Sequence, residues 1–274
     1  MKIKNLIVGI VATVGAAWLG ACGTPTVHCL VVGSPSGSGY AYWMKYLNSD
    51  MSSACSGLEG EGIGFQVYNV PGSSDYSMAF RTDSIGLPIA NGVSSTEIDA
   101  ATAAGGCTGV AGCNSQENPT ANGTVKMPSF PTNDVCEMSG FVAAEQHFDA
   151  VPPTLDDDGG VIDPGAPATT ITFNFTKLRF ATSTNAPGTV FDGEVDYTQD
   201  SCMFHYKVFG FWPQVACGVD ADCNPAADPD AGYVVGSGIN PSFQDATHPI
   251  KCNTDVGICE LAYTSVDEVN AIKE

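Results

Sequence analysis

The stretch that decides the fold runs from Thr170 to Trp212 and reads TITFNFTKLRFATSTNAPGTVFDGEVDYTQDSCMFHYKVFGFW. Apolar and polar residues alternate along it, which is the pattern of strands with one buried face and one face in water. Pro187-Gly188 and the polar segment Thr198–Ser201 are turn signals that divide it into three parts. The stretch therefore predicts an antiparallel meander of three strands.

The alternation assigns side chains to the two faces of each strand. In the first strand the apolar positions change parity between Phe175 and Leu178, near Thr176-Lys177, and such a change indicates a β-bulge. The second strand places Phe191, Val195 and Tyr197 on one face and Asp192, Glu194 and Asp196 on the other. The third strand places Cys202, Phe204, Tyr206, Val208 and Trp212 on a common face.

A four-residue turn at Thr198–Ser201 would set the register between the second and third strands. The register pairs an apolar residue with an apolar one on the inner face and acids with bases on the outer face. The predicted pairs are Val195 with Phe204, Glu194 with His205, and Asp192 with Lys207.

Shorter alternating runs predict further strands in the rest of the chain. They lie at residues 40–47, 63–67, 76–80, 233–235 and 258–263, and residues 141–148 fit a strand better than a helix. A capping box and an alanine-rich run predict one short helix over residues 94–104, and Ser265 with Glu268 predicts a capped turn near the C-terminus. Residues 107–134 and 152–168 resemble long loops because they are rich in Pro, Gly, Asn and Asp. The fold class is mainly β: an antiparallel sandwich or barrel-like sheet with long disulfide-stapled loops and one short helix.

The N-terminal region has the form of an export signal. Lys2 and Lys4 precede an apolar run from Leu6 to Trp18, which ends at Leu19-Gly20-Ala21-Cys22. This last segment resembles the lipobox of bacterial lipoproteins. The resemblance implies that residues 1–21 are removed and that Cys22 carries fatty acyl chains which attach the protein to a membrane. An ordinary signal peptide cut after Ala21 is the alternative, and it would leave Cys22 as a thiol.

The residue after the cysteine bears on the destination. In Gram-negative lipoproteins an Asp at that position tends to retain the protein at the inner membrane, whereas this chain has Gly23. The resemblance therefore implies the outer membrane. We divide the chain into the signal peptide (1–21), an acylated N-terminus and tether (22–26), an antiparallel β domain (27–212) and a Cys-rich acidic extension packed on the same domain (213–274).

The charge balance restricts the partners. Removal of 21 of the 274 residues leaves 253 and takes away two of the ten Lys and Arg, so eight cationic residues remain against 30 Asp and Glu. The mature chain thus has a net charge of −22. Nucleic acid is not expected as a partner, because proteins hold phosphates with basic patches. A protein or glycan at the cell surface is the kind of partner that we expect.

Ten cysteines remain besides Cys22, and they indicate disulfides in an oxidising compartment. They are Cys29, Cys55, Cys107, Cys113, Cys136, Cys202, Cys217, Cys223, Cys252 and Cys259. Connectivity does not follow from sequence, but Cys107/Cys113, Cys217/Cys223 and Cys252/Cys259 are close enough for local bonds. A metal site is the alternative, and it is disfavoured because the chain has no C-x₂-C pair. The spacing of the last four cysteines resembles a module of myxobacterial surface lipoproteins that have no assigned function, and this resemblance implies no chemistry.

Two sets of residues are candidates for binding. Asp220, Asp222 and Asn224 have the spacing of calcium ligands, and Asp228 with Asp230 would complete the shell. The match to a calcium loop is incomplete, because Pro225 stands where such a loop has Gly and Ala231 where it has Glu. A structural calcium ion is the one cofactor that we expect. The second set is aromatic, consisting of Tyr40, Tyr42, Trp43 and Trp212, which would suit either a buried strand or a ligand platform.

No catalytic motif stands out in the chain. The four histidines are scattered, no HExxH occurs and nothing marks a nucleophile. We therefore favour a non-enzymatic, acyl-anchored protein with a structural or binding role. A carrier of a small apolar or glycan ligand inside a closed sheet is the first alternative, and it requires a cavity lined by the aromatic set. A secreted hydrolase of wall polymers or glycans is the second.

Overall fold

A computed structural model describes residues 29, 41–49, 57–69, 75–90, 120–126, 133–184, 186–232, 235–245 and 247–272. Several predicted features lie outside these residues. They are the signal peptide, Cys22 and the tether, Tyr40, the helix at 94–104, and Cys55, Cys107 and Cys113.

The described chain forms thirteen strands and two α-helices. The strands are β1 (Tyr42–Ser49), β2 (Gly60–Asn69), β3 (Asp75–Thr82), β4 (Ala121–Lys126), β5 (Val135–Val142), β6 (Ala144–Phe148), β7 (Thr154–Leu155), β8 (Val161–Asp163), β9 (Thr169–Ala181), β10 (Val190–Gln199), β11 (Cys202–Phe211), β12 (Lys251–Asn253) and β13 (Ile258–Glu260). The helices are α1 (Asp83–Ala90) and α2 (Val266–Asn270). Among the described residues, no helix is long and apolar enough to cross a membrane.

Nine strands form one antiparallel sheet that closes on itself. Its order is β10-β11-β1-β2-β3-β4-β5-β9-β6, and β9 also pairs with β10. Strands β5 and β6 follow one another along the same side of β9. The barrel-like form of the predicted fold class is therefore the correct one, and mainly β structure is confirmed.

The predicted meander is present as β9, β10 and β11, and its bulge is confirmed. Lys177 pairs with Glu194 and Phe175 pairs with Val195, so Thr176 has no partner in the register. The predicted register of β10 and β11 was wrong. Gln199 pairs with Cys202, so the turn has two residues, Asp200 and Ser201, and not four.

The corrected register changes the cross-strand partner of every residue, but each side chain stays on the face of the sheet that was predicted for it. Val195 lies opposite Tyr206, Glu194 opposite Lys207 and Asp196 opposite His205. Asp200 takes the turn with a φ of 55°, a left-handed conformation that Asp tolerates better than most residues. The observed register lies two residues from the predicted one, and a shift of two leaves side chains on the same side of a strand.

Side chains that point into the closed sheet form an inner core rich in aromatic rings. Phe65 lies at its centre, with ring centroids 4.9 Å from Tyr42, 5.4 Å from Phe180 and 5.2 Å from Phe191. Helix α1 adds Ile85 to the same core. Burial of these rings is the main stabilising contribution of the sheet.

A second, outer core lies between the sheet and the C-terminal extension, residues 213–274. Phe209 and Phe211 point out of the sheet and are 1% exposed, because the extension covers them. The extension contributes its own buried side chains to this core, among them Phe243, Leu261, Tyr263, Val266 and Val269. An ion pair between Lys45 of β1 and Glu260 of β13 also links the sheet to the extension. The extension therefore packs on the β domain.

The disulfides join distant segments. Cys217 is bonded to Cys252 and Cys223 to Cys259, across 35 and 36 residues. The local pairs that we predicted for these four cysteines were therefore wrong, since two crossed bonds fasten one half of the extension to the other. Cys202 is disulfide-bonded as well. Cys29 is bonded to Cys136 at the start of β5, which fixes the segment that follows the tether to one end of the sheet.

Four smaller elements differ in how well the sequence predicted them. The strand near residue 260 and the helical turn after Ser265 are confirmed, and the Glu268 amide donates to the Ser265 hydroxyl over 3.3 Å. Val235 lies in a bend and not in the predicted strand. Helix α1 was missed because Gly86 and Pro88 are poor helix formers.

The loop predicted at residues 152–168 contains a hairpin. Strands β7 and β8 pair in it, and Val151 and Ala166 exchange backbone hydrogen bonds of 2.8 and 2.9 Å at its base. We call residues 151–166 the arm.

Candidate functional site

A groove with a volume of 430 Å³ lies on the outer surface of the closed sheet, where the extension meets it. Its floor is formed by β9, β10 and β11, and one wall is the segment that leads into α2. The lining residues are Leu47, Lys177, Arg179, Asp192, Gly193, Glu194, Lys207, Val208, Thr264 and Ser265. The volume is in the range of small-molecule sites.

The bulge in β9 shapes this groove. Thr176 and Lys177 are consecutive and both exposed, so the lysine side chain lies on the outer face. A Cβ at Gly193 would overlap the carbonyl oxygen of Lys177. Glycine at this position therefore allows β9 and β10 to approach each other beside the bulge.

An ion pair between Arg179 and Asp192 lies in the groove lining, and the environment predicted for Asp192 was wrong. Asp192 was expected in water opposite Lys207, but it is 6% exposed and accepts from the Arg179 Nε over 2.8 Å. The backbone amide of Val266, at the start of α2, also donates to the Asp192 carboxylate over 3.0 Å. The hydrogen bonds and charge of Asp192 raise the pKa of Arg179, so this guanidinium stays charged. The pair ties β9, β10 and the extension together.

The groove lining also includes two lysines. Glu194 lies between Lys177 and Lys207 in the register of the three strands. Both lysines are exposed, and neither has a carboxylate oxygen of the described residues within 4.0 Å of its Nζ. Three of the ten Lys and Arg residues of the chain, these two and Arg179, thus line a single groove.

A buried carboxyl group inside the sheet was not predicted. Glu61 is 8% exposed, and it accepts hydrogen bonds from the Tyr46 hydroxyl and, over 2.7 Å, from the Ser84 amide. Burial raises the pKa of Glu61, and burial together with the nearby Glu61 raises the pKa of Tyr46 and Tyr197. Glu61 thus fastens the start of α1 to the interior of the sheet.

The sequence does hold a signal for this group. Glu61 precedes Ile63 by two residues and Phe65 by four, so it shares the inward face of β2. A charged residue in phase with an apolar face indicates a buried polar network.

Two members of the aromatic set, Tyr42 and Trp43, do not line an interior cavity. Tyr42 is fully buried in the inner core, and its hydroxyl donates to the carbonyl oxygen of Gly188. Trp43 belongs to the outer core and is 4% exposed. Trp212 packs half-buried against the inner core. At Tyr42 and Trp43, the space that a carrier would need is filled by protein.

The residues of the predicted calcium site take part in other contacts. Asp222 accepts from the Gly218 and Val219 amides, Asp220 accepts from the Cys252 amide, and Asn224 accepts from the Ala226 amide. Within the described residues, no three carboxylates, including Asp228 and Asp230, come within 4.8 Å of one another. Calcium at this loop stays a prediction. The sulfur atoms of Cys217, Cys223 and Cys252 do cluster, but all three are disulfide-bonded.

The described histidines contact acidic or hydroxyl side chains. His205 contacts Asp196 over 2.7 Å and His248 contacts Asp245 over 3.2 Å. His147 Nδ1 lies 2.9 Å from the Thr170 hydroxyl, while its Nε2 is 3.8 Å from the nearest carboxylate. The last distance is too long for the hydrogen bond that orients a catalytic imidazole.

These features define a class of protein: a closed, disulfide-linked antiparallel sheet on which a cysteine-rich C-terminal extension packs. The chain belongs to the MlpA family, whose model matches residues 40–213. The match thus covers the closed sheet and ends where the extension begins. The resemblance to myxobacterial lipoproteins is confirmed, and the chain is an extracytoplasmic lipoprotein anchored at a membrane.

One relative illustrates the family. A protein of Myxococcus xanthus described as "Putative lipoprotein MlpA" is 34% identical over 94 residues. These residues are 34% of this chain and 38% of the relative, so the match spans well under half of either. No solved structure matches the chain.

Proposed function

We propose that the chain is a non-enzymatic binding protein of the outer membrane, anchored through acyl chains on Cys22, which holds an acidic saccharide in the groove. The observation that carries the proposal is the pair of lysines, Lys177 and Lys207, on a mature chain of net charge −22. The anchor is supported by the Leu19-Gly20-Ala21-Cys22 segment and by the family. Gly23 after the cysteine supports the outer membrane as the destination.

The groove suits a ligand that carries both a carboxylate and hydroxyl groups. The two ammonium groups can bind the carboxylate, and the Glu194 carboxylate between them can accept from hydroxyls. At physiological ionic strength the Debye length is about 8 Å, so solvent-exposed acidic groups farther than this from the two lysines are largely screened from a ligand in the groove. A neutral sugar would leave the lysines without an anionic partner, and this provides selectivity.

The absence of a catalytic role is part of the proposal. Among the described residues, the hydrogen bonds of the histidine rings involve Asp196, Asp245 and Thr170, and none involves a serine. The aromatic packing around Tyr42 supports a rigid scaffold in preference to an internal ligand cavity. An activity screen of residues 23–274 against wall polymers and glycans should show no turnover.

Binding is tested by calorimetry of residues 23–274 with glucuronate oligosaccharides, and with glucose oligosaccharides of the same length as the neutral probe. Lys177→Met and Lys207→Met should each weaken glucuronate binding about tenfold or more, which corresponds to about 1.4 kcal/mol. Lys251→Met is the matched control, since Lys251 is exposed on β12 outside the groove. Equal binding of the two sugars, or equal effects of all three substitutions, would contradict the proposal.

A further inference from the structure

The arm is a hairpin whose side chains are exposed. All residues from 151 to 164 are exposed. The large aliphatic side chains are exposed as well: Leu155 is 54% exposed, Val161 63% and Ile162 68%. Exposed aliphatic side chains grouped on one hairpin indicate a surface that a partner covers.

The arm is shaped before any partner arrives. Asp156 caps the tip by accepting from the Gly160 and Asp158 amides. At the base, Gly165 has a φ of 69° and lies against the backbone of Val151, where a Cβ would overlap the carbonyl oxygen. A preformed hairpin loses little conformational entropy on binding, which favours affinity.

The charge of the arm specifies the chemistry of its partner. Residues 149–163 include five aspartates, three of them consecutive at 156–158, and no Lys or Arg lies between Lys126 and Lys177. The partner must therefore carry positive charge beside an apolar strip. A cationic strand or loop with alternating aliphatic side chains has this combination.

The position of the arm supports an outward role, and this step rests on the proposed anchor at Cys22. Cys29 is bonded to Cys136, which pairs with Phe180 at one end of β9. The arm leaves from the other end of β9, at Thr169, about 36 Å away at about 3.3 Å per residue. Six residues separate Cys22 from Cys29, so the two Cα atoms can lie at most about 25 Å apart. This arrangement leaves the arm free to project away from the membrane.

We propose that the arm docks a protein partner whose contact surface is an apolar strip edged by lysine or arginine side chains. The aliphatic side chains supply the buried area, and the aspartates at the tip pair with the flanking cations. The groove is a separate surface on β9 to β11, so the two interactions are independent.

The test uses residues 23–274 and a fluorescent peptide of alternating valine and lysine, with an alternating serine and lysine peptide of the same length and charge as the comparison probe. Anisotropy at 150 mM salt should show at least tenfold tighter binding of the valine peptide. Leu155→Ser with Ile162→Ser should weaken that binding at least tenfold, as should the change of Asp156, Asp157 and Asp158 to Asn.

Matched controls carry the same changes elsewhere. Val219→Ser with Val235→Ser removes two exposed aliphatic side chains, and Asn at Asp228, Asp230 and Asp255 removes three exposed charges. Both should change peptide affinity less than twofold. Equal losses in arm and control variants, or equal affinity for the two peptides, would overturn the proposal.

Two further readouts separate the outcomes. Sedimentation that shows a dimer lost in the arm variants would identify a second copy as the occupant and would also overturn the proposal. Glucuronate binding in the groove and the melting temperature should be unchanged in the arm variants. Failure of the proposal for the arm can thus be distinguished from failure of the proposed saccharide binding in the groove and from misfolding of the variants.

Discussion

The ion pair between Arg179 and Asp192 gives the sharpest prediction of stability. The two side chains are 16% and 9% exposed, and Asp192 also accepts from the Val266 amide. Asp192→Ala leaves a mostly buried guanidinium without its main partner and a buried amide without an acceptor. Removal of one partner of a buried pair costs about 3–5 kcal/mol.

The lower end of that range applies here. Arg179 keeps Asp267 at 3.1 Å, but Asp267 is 64% exposed and compensates only weakly. We therefore expect Asp192→Ala to lower the free energy of unfolding by about 3 kcal/mol, which for a chain of this length lowers the melting temperature by about 6–12 °C. Urea and thermal denaturation of residues 23–274 measure both quantities.

The controls decide whether the pair itself is responsible. Asp196→Ala removes an exposed partner of His205 on the same strand and should cost less than about 1 kcal/mol. Arg179→Met combined with Asp192→Leu removes both charges and should recover most of the loss. The reasoning is refuted if Asp192→Ala costs no more than Asp196→Ala, or if the double variant is as unstable as the single one.

Three further predictions follow from the described contacts. Alanine at both Cys223 and Cys259 should cost about 2–4 kcal/mol of unfolding free energy, and a loss below about 1 kcal/mol in urea would contradict the long-range bond. Burial raises the pKa of Glu61, so the folded state binds the proton of this carboxyl group more tightly than the unfolded state does. The stability of the wild type relative to Glu61→Gln should therefore fall as the pH rises from 4.5 through the raised pKa of the folded state. If denaturation at several pH values shows a constant difference in stability between the two proteins over this range, the effect is ruled out. Gly193→Ala should cost about 1–3 kcal/mol and weaken glucuronate binding, whereas Gly64→Ala, whose Cβ would have its nearest neighbour at 4.0 Å, should do neither.

The alternation along the chain was enough to predict the meander and its bulge because these are local properties. Each side chain of a strand lies on the face opposite its neighbour's, so apolar positions indicate the inner face directly. The turn at Asp200 was harder, since two-residue and four-residue turns differ by a register shift of two and keep the same faces.

Features that depend on distant segments could not be predicted. Asp192 looked like a surface residue because nothing in its own strand shows that the extension, about 70 residues further on, covers it. The partners of Cys217 and Cys223 lie 35 and 36 residues away, whereas the sequence offered nearer cysteines. The groove follows from the same packing, since its wall at Thr264 and Ser265 belongs to the extension.

The site residues likewise divide into those fixed by local pattern, which could be predicted, and those that depend on distant segments. Lys177 was placed correctly at the bulge, but its position near Lys207 depends on the register that the sequence misjudged. Glu61 was overlooked although it shares the face of Ile63, because a single acid at the start of an alternating run does not disturb the pattern.

The most direct test of the account is mass spectrometry of the N-terminal peptide from protein purified from the membrane fraction of its host. We predict that this peptide begins at Cys22 and carries fatty acyl groups on the amine and the thiol of that residue. A peptide that begins elsewhere, or a Cys22 with an unmodified amine and thiol, would contradict the anchor and with it the outward orientation of the arm.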